Sequence, residues 1–287
     1  MIWVSRSKIY TPKKARWKIS LSALLAIGRR TDMRFNHHAV AAIYRFELAR
    51  FLRTAGSSLA TPVITTSLYF IVFGSAIGSR MSQVGGVPYA AFIVPGLMML
   101  SIFTESIFNA SFGIFMPKWS GTIYELLSAP VLPLETVLAY VGAAASKSLI
   151  LGAVIFTTAD LIVDIHILHP FWMLAFMVMI AATFCLFGFI IGVWAKSWEQ
   201  LQIVPMLVIM PLTFLGGAFY SIDMLPPLWR TLTLFNPIVY LISGFRWSFY
   251  GQGDVPVTIS LLATLGFFSV CLAIVSAILQ SGYRFKN

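Results

Sequence analysis

The sequence predicts an all-α polytopic membrane protein with six transmembrane helices, and three observations lead to this prediction. Of the 287 residues, 59% are hydrophobic and 10% are charged, whereas soluble domains carry about 25% charged residues. The mean hydropathy is +0.86. Nearly uncharged runs of about 20 residues recur along the chain, and a helix of that length crosses a hydrocarbon core about 30 Å thick. A soluble domain is thereby excluded. The net charge of +10 does not indicate nucleic-acid binding, because membrane topology explains the excess of Lys and Arg.

The first predicted element is an amphipathic helix at about residues 36–55, within a cytoplasmic N-terminal segment, residues 1–57. Its apolar side chains fall on roughly one half of a helical wheel, and they are Val40, Ile43, Tyr44, Leu48, Phe51 and Leu52. Its basic residues Arg45, Arg50 and Arg53 lie mostly opposite. Glu47, however, falls on the apolar side. The pattern is typical of a helix that lies in the cytoplasmic interface of a membrane, and a soluble linker helix is the alternative.

Six apolar runs form the predicted transmembrane domain, residues 58–280, which a short cytoplasmic tail, residues 281–287, follows. The runs cover about residues 58–78, 89–115, 134–158, 171–195, 201–219 and 257–280. With both termini in the cytoplasm, the inner side holds twelve Lys and Arg residues before residue 58 and also Lys118, Lys196, Arg284 and Lys286. The outer side then holds Arg80, Arg230 and Arg246. Because Lys and Arg accumulate in cytoplasmic segments, we expect both termini to be cytoplasmic.

A short helix is predicted in the cytoplasmic loop between Pro117 and Pro133, because prolines bracket a run with helical spacing. Thr122 can cap its start, and Glu125 follows three residues later, as in a capping box. Its apolar patch consists of Ile123, Leu126 and Leu127. A short amphipathic helix between two spans suits the docking of a soluble partner, and an ordinary interfacial turn is the alternative.

The outer segment from Tyr220 to Pro256 is too apolar for a soluble loop, yet no helix of 20 residues fits it. It is interrupted by Pro226-Pro227, Asn236-Pro237 and Gly251-Gln252-Gly253. Backbone that does not span the membrane must be shielded by protein or line a cavity when it lies at membrane depth. We therefore expect two short helices that fold back into the outer leaflet.

Enzymatic chemistry is not indicated by the sequence. A nucleophile with a base, a pair of carboxylates or a cluster of metal ligands is not apparent. His166 and His169 with the nearby Asp160 and Asp164 are a weak candidate for a metal site, because Pro170 interrupts the helical spacing. The sequence has no Gly-x-x-x-x-Gly-Lys-Ser/Thr phosphate-binding loop. We expect no catalytic residues, no metal and no bound cofactor in this chain.

Two charges lie inside predicted spans, Glu105 in the second and Lys147 in the third. Charged side chains within a membrane are costly and usually face a partner or a water-filled path. The two spans are antiparallel neighbours in the chain, so Glu105 and Lys147 can form a structural ion pair. The alternative is that one or both line a transport path and contact a polar substrate.

Three strings of the sequence resemble the ABC-2 type transporter permeases, and most closely the bacterial branch with nodulation-factor, drug-resistance and polysaccharide export permeases. The first string contains Gly217, Phe219, Pro226 and Trp229. The second contains Asn236, Pro237 and Arg246. The third lies in the cytoplasmic loop and contains Gly121, Thr122, Glu125, Leu126, Leu127 and Pro130. Each string alone is common, but their order within six spans is fairly specific, and the resemblance covers about residues 40–287.

The resemblance implies a half-transporter in the bacterial inner membrane that forms a homodimer and binds two copies of a separate ABC ATPase subunit. ATP and Mg²⁺ would then bind in the partner ATPase. The helix at residues 36–55 would be an interface helix in contact with lipid, residues 121–130 a coupling helix that docks on the ATPase, and residues 220–251 a re-entrant hairpin at the outer end. The substrate would be amphipathic or lipid-linked and would move outward.

A secondary transporter driven by an ion gradient is the main alternative. Such a protein would use Glu105, Lys147 and Asp160 as coupling groups, and its two halves would show an internal repeat. The sequence shows no repeat between residues 58–158 and 171–280, which disfavours this alternative. An enzyme that acts on lipid is disfavoured further, because a clustered acid and base are not apparent.

Overall fold

The computed structural model describes residues 35–81 and 83–281. The chain divides into two units, Met1–Phe35 and Asn36–Asn287, and every helix and strand of the described part lies in the second unit. The predictions for residues 1–34 and for the tail after Ser281 lie outside the described residues.

Eleven α-helices and one two-stranded hairpin make up the described part of the chain. They are α1 His37–Arg53, α2 Ala55–Ala76, β1 Gln83–Val84, β2 Val87–Pro88, α3 Tyr89–Ser120, α4 Ile123–Ser128, α5 Pro133–Asp160, α6 Pro170–Trp194, α7 Trp198–Val204, α8 Met210–Leu215, α9 Pro227–Leu234, α10 Pro237–Tyr250 and α11 Val257–Ser281. A π-helical segment, Pro205–Ile209, joins α7 to α8, and a 3-10 turn, Ile222–Met224, precedes α9.

Six helical segments within the described residues are long and apolar enough to cross a membrane: Ala55–Ala76, Tyr89–Ser120, Pro133–Asp160, Pro170–Trp194, Trp198–Leu215 and Val257–Gln280. Each lies where the sequence predicts a span, and the prediction of an all-α polytopic membrane protein is confirmed. The antiparallel strands β1 and β2, which the sequence analysis did not foresee, form a small hairpin with a turn at Gly85 and Gly86.

The fifth span is not a continuous α-helix, although its sequence reads as one apolar run. Between α7 and α8, the Met210 N–H donates to the Pro205 carbonyl, five residues earlier. Proline lacks an N–H and its ring crowds the preceding turn, and local widening to a π-helix is one way in which a helix accommodates such a break. Pro205 and Pro211 therefore divide this span into two short helices.

The core of the transmembrane domain is built around α3, which packs most extensively against α6 and also against α2, α5 and α10. Two glycines one turn apart on α6 allow the backbones of α3 and α6 to approach closely. A Cβ atom on Gly188 would lie 2.5 Å from the Ile107 carbonyl oxygen, and one on Gly192 would lie 2.4 Å from the Ser111 carbonyl oxygen. Small residues at this spacing are typical of closely packed membrane helices.

The spans differ strongly in how much of their surface this chain covers. Within the most apolar window of each span, 78% of residues are buried in α3, but 11% are buried in Ala55–Ala76, 22% in Trp198–Leu215 and 17% in Val257–Gln280. The first, fifth and sixth spans therefore offer most of their apolar side chains to lipid or to another protein.

Candidate functional site

The short helix α4 joins the end of α3 to the start of α5, on the side that the sequence predicts to be cytoplasmic. Gly121, with a φ of 82°, ends α3 in the left-handed conformation, which glycine adopts at little cost. Ile123 is buried among Ile114, Val137 and Tyr140 and so anchors α4 to the core. Glu125 and Pro130 are exposed, and Leu126 is half-buried. The helix therefore presents a free acidic face next to the two longest spans.

Thr122 does not cap α4 through its side chain, and the prediction of a capping box at Thr122 and Glu125 is wrong. An N-cap residue normally has extended backbone, whereas Thr122 is already helical, with φ −67° and ψ −11°. Its hydroxyl lies 2.9 Å from that of Ser120 instead. The side chain of Leu127 lies outside the described residues.

A carboxylate cap occurs instead at the start of α5, where Glu135 is fully buried. One oxygen of Glu135 accepts the backbone N–H of Leu132 at 2.8 Å, and the other accepts the backbone N–H of Asn36, just before α1. A negative charge is favourable at a helix N-terminus. This cap therefore also joins the beginning of α1 to the beginning of α5.

α1 packs lengthwise against α5. Besides the contact of Asn36 with Glu135, the Tyr44 hydroxyl lies 2.8 Å from the Ser146 hydroxyl. Arg45 and Arg53 are exposed, as an amphipathic helix at a membrane interface requires. Arg50 instead lies over the Phe112 ring, with its guanidinium carbon 4.9 Å from the ring centre. A helix thus lies where the sequence predicts the interface helix, and its contact with lipid remains a prediction.

Glu47 is the partner of Lys147, and this replaces the suggested pair of Glu105 with Lys147. The Lys147 Nζ atom lies 3.4 Å from Glu47 Oε2, and the two side chains are 4% and 3% exposed. Arg50 donates to the same carboxylate oxygen at 2.6 Å. The position of Glu47 on the apolar side of α1 is explained, because that side faces α5. In the sequence, Glu47 stood out as an acidic residue on the apolar side of a helix, but nothing in the sequence indicated Lys147 as its partner.

Glu105 lines a cavity of about 190 Å³ together with Lys147 and with hydroxyls of the first span, including Ser58 and Thr61. Asn109, one turn further along α3, donates to Glu105 Oε2 at 3.2 Å. The cavity thus brings together a carboxylate, an ammonium group, an amide and hydroxyl groups. Since the cavity wall contains both hydrogen-bond donors and hydrogen-bond acceptors, it can bind a polar molecule. The two intramembrane charges therefore share one cavity wall, while Lys147 keeps its ion pair with Glu47.

The segment from Tyr220 to Pro256 forms α9 and α10, the two short helices that the sequence predicts, and their place in the outer leaflet stays a prediction. Asn236 caps α10 by accepting the Ile238 N–H at 3.0 Å, and its amide donates to the Leu212 carbonyl at 2.6 Å. Pro237 occupies the first helical position, where a missing N–H has no cost. Pro226 precedes α9, on which Trp229 is 53% exposed. Most of α10 is buried, so this non-spanning helix is shielded by protein.

Arg246 joins three parts of the outer side. Its guanidinium forms an ion pair with Asp254 at 2.7 Å and donates to the Gly217 carbonyl. The guanidinium carbon also lies 4.0 Å from the centre of the Phe92 ring. The side chains of Arg246 and Asp254 are 3% and 6% exposed. Gly217 has a φ of 81°, a conformation that other residues rarely adopt. Arg246 and Gly217 are among the residues that the sequence singles out, whereas Asp254 is not, since an acid in a loop with glycines gives no signal of its own.

Aromatic side chains cover the outer end of the fifth span. Phe219 is buried, and its ring stacks on that of Phe214 with the ring centres 4.8 Å apart. The Tyr89 hydroxyl donates to the backbone carbonyl of Phe219 at 3.1 Å. The Tyr250 hydroxyl donates to the Ala91 carbonyl at 2.7 Å, and burial raises the pKa of this phenol. Burial and the nearby Asp254 carboxylate likewise raise the pKa of Tyr220. The Tyr220 and Tyr250 phenols therefore stay protonated and donate hydrogen bonds to backbone carbonyls.

The weak candidate for a metal site is not assembled within residues 35–81 and 83–281, where no group of three or more His, Cys, Asp or Glu side chains can hold a metal ion. His169 instead stacks on Trp247, with ring centres 4.6 Å apart. Its backbone N–H donates to the Ser248 carbonyl. The loop before α6 is thus packed against α10.

Comparison with known proteins gives consistent matches over most of the chain. The profile of the family described as ABC-2 type transporter matches residues 38–250. The inner membrane transport permease YadH of Escherichia coli K12 is 38% identical over 241 residues, which cover 83% of this chain and 94% of that protein. Nodulation protein J of Rhizobium leguminosarum bv. viciae is 26% identical over 79% of this chain and 82% of its own length. Nodulation protein J of Rhizobium meliloti is 25% identical over 80% of this chain.

Proposed function

Because the chain belongs to the ABC-2 type transporter family, we propose that it is the transmembrane subunit of an ATP-binding cassette exporter whose ATPase is a separate chain. Its family makes it a multi-pass transport permease of the inner membrane. The observation that carries the finer proposal is α4, a short helix held by the buried Ile123 with Glu125 exposed beside it. The distribution of Lys and Arg supports cytoplasmic termini and a cytoplasmic α4.

The proposed partner is an ABC ATPase subunit, present in two copies, that binds ATP and Mg²⁺. This chain supplies the docking surface: Glu125 offers a charge, Leu126 adds apolar contact, and Gly121 ends α3 so that α4 turns away from it. ATP can change the permease only if it favours one global state over another. Since α4 joins the ends of α3 and α5, a movement of α4 with the ATPase is passed directly to the two longest spans.

A second copy of the permease is the other proposed partner. The first and fifth spans bury few of their apolar side chains within this chain, and a dimer would cover part of this surface. The interface helix α1 continues directly into the first span after Thr54. We therefore propose a homodimer with α1 at each cytoplasmic edge and with lipid covering the remaining apolar surface.

The proposed cargo is an amphipathic or lipid-linked molecule that moves from the cytoplasmic side outward. The support is the contrast between exposed apolar spans and the polar cavity at Glu105. An apolar part of the cargo can follow the spans, while a polar part can hydrogen-bond the groups around that cavity. Transport coupled to an ion gradient is disfavoured, because the ion pair with Glu47 already engages Lys147.

The test is purification of the tagged chain from its native cells in lipid nanodiscs, followed by identification of co-purified proteins and an ATPase assay. We expect an ATPase subunit in equal amount, and we expect Glu125→Arg to release it while the permease still inserts. Asp164→Arg is the matched control, because it makes the same charge change at an exposed residue on the proposed outer side. Retention of the ATPase by the Glu125→Arg variant, with normal hydrolysis, would contradict the docking role. A permease that purifies without any ATPase would contradict the exporter proposal itself.

A further inference from the structure

A second cavity, of about 510 Å³, lies between the cytoplasmic ends of α3 and α6, next to the start of α4. Two lysines, Lys118 and Lys196, and two tryptophans, Trp119 and Trp194, surround it. None of the seven lining residues found within the described part of the chain is acidic. The volume lies in the range of small-molecule sites, about 300 to 1,000 Å³. None of these lining residues belongs to α4 or lines the cavity at Glu105.

The cavity has an apolar floor and a cationic rim. Phe115 and Val193, which are 3% and 2% exposed, form part of the floor. Lys118 is held in place because its ammonium group donates to the last carbonyls of α6, those of Gly192, Val193 and Ala195. Lys196 is exposed in the short connection between α6 and α7. Lys118 thus uses its three N–H groups on the protein, and the exposed Lys196 supplies the positive charge that a ligand above the apolar floor can contact.

The tryptophans indicate the depth of the cavity. Trp119 and Trp194 lie within the last two residues of α3 and α6, and they are 73% and 50% exposed. Tryptophan accumulates at the level of the lipid headgroups, where its ring is in an apolar region and its N–H in a wet one. Lysine side chains at span ends reach toward the same level. The residue types at the rim are therefore those typical of the level of phospholipid phosphates.

We propose that this cavity binds the headgroup of an anionic phospholipid of the cytoplasmic leaflet. The phosphate contacts Lys196, and the glycerol and upper acyl chain contact the apolar floor. Basic pockets between span ends on the cytoplasmic side suit such headgroups. The assignment to the cytoplasmic leaflet rests on the proposed orientation, while the lipid site itself does not. A bound lipid would hold the end of α3 immediately before Gly121, two residues ahead of the start of α4.

The test is native mass spectrometry of the purified full-length chain, with dioleoyl phosphatidylglycerol and dioleoyl phosphatidylcholine as probes. We expect the unmodified chain to retain the anionic lipid in preference to the neutral one. One lysine near an anionic surface contributes roughly a fivefold preference, and Lys196→Gln should reduce retention of phosphatidylglycerol by about this factor. Retention of phosphatidylcholine should not change. Arg80→Gln is the matched control, since it removes one exposed positive charge at the opposite end of the domain.

Three results would overturn the proposal. The first is that Lys196→Gln, and also the double variant Lys196→Gln with Trp119→Leu, retain as much phosphatidylglycerol as the unmodified chain does. The second is complete displacement of phosphatidylglycerol by inorganic phosphate alone, which would assign the cavity to free phosphate. The third is loss of a co-purified protein from Lys196→Gln with unchanged lipid retention, which would assign it to a protein partner. The measurement needs neither ATPase nor transport, so its outcome is independent of the Glu125→Arg test of the exporter proposal.

Discussion

Glu47 on α1 and Lys147 on α5 form a buried ion pair, with 3.4 Å between Oε2 and Nζ. The pair joins the helix before the first span to the third span, and Arg50 adds a second positive charge to the same carboxylate. A charge buried in the membrane domain needs such a partner, because desolvation without one is costly. The packing of α1 against α5 is therefore fixed by a charge pair that the two helices share.

Removal of one partner of this pair should destabilise the protein. Glu47→Gln leaves Lys147 buried without its counter-ion, and the expected loss is roughly 3 kcal/mol of unfolding free energy. The measurement is thermal unfolding of the detergent-purified variant. The double variant Glu47→Gln with Lys147→Gln should recover part of the loss, because it leaves no uncompensated buried lysine. A single variant as stable as the unmodified protein would show that the pair contributes nothing.

Neutralisation of Glu105 should affect transport more than stability. Its carboxylate lines the 190 Å³ cavity and has the Asn109 amide as a hydrogen-bond partner, which Glu105→Gln can keep. A hydrogen bond to a charged group contributes roughly 1.5 kcal/mol or more, so transport should fall by about tenfold if the carboxylate contacts the cargo. Transport into inverted vesicles and thermal unfolding are measured together. Unchanged transport, or a parallel loss of stability, would contradict the path-lining role.

The ion pair of Arg246 with Asp254 should stabilise the outer hairpin strongly. Asp254→Asn leaves Arg246 buried without a carboxylate, and we expect a loss of roughly 3 kcal/mol. Asp223→Asn is the matched control, because Asp223 pairs with Arg230 at 2.8 Å but the two side chains are 64% and 54% exposed. Exposed pairs contribute less than about 1 kcal/mol. Equal effects of the two substitutions in thermal unfolding would contradict this account.

The close approach of α3 and α6 should not tolerate a methyl group. A Cβ atom on Gly192 would lie 2.4 Å from the Ser111 carbonyl oxygen, so Gly192→Ala must move backbone, at a cost of roughly 1–3 kcal/mol. Gly266→Ala on α11 is the control, since nothing lies within 4 Å of its Cβ position. That substitution should leave stability unchanged or raise it by up to about 1 kcal/mol. Thermal unfolding of both variants separates the two outcomes.

Sequence reasoning succeeded for features that short stretches of chain determine. The six spans follow from their length and apolarity, and α4 and α10 follow from prolines and glycine at their ends. It was wrong about the cap of α4, because the left-handed Gly121 places Thr122 in helical backbone and removes the geometry that a side-chain cap requires. It also missed the π-helical break at Pro205, since an apolar run with a proline is compatible with either a kinked or a continuous span.

The sequence by itself determined the class of the protein, the number of its spans and its family resemblance, because hydropathy, span length and motif order are properties of the linear chain. Only the tertiary structure decided which charges meet. Glu47 and Lys147 are 100 residues apart in the chain, and their contact depends on how α1 packs against α5. Arg246 with Asp254, and the cavity between the ends of α3 and α6, likewise depend on helix packing. A charged residue in an apolar segment of the sequence predicts that an ion-pair partner exists, but only the packing of the helices determines which residue that partner is.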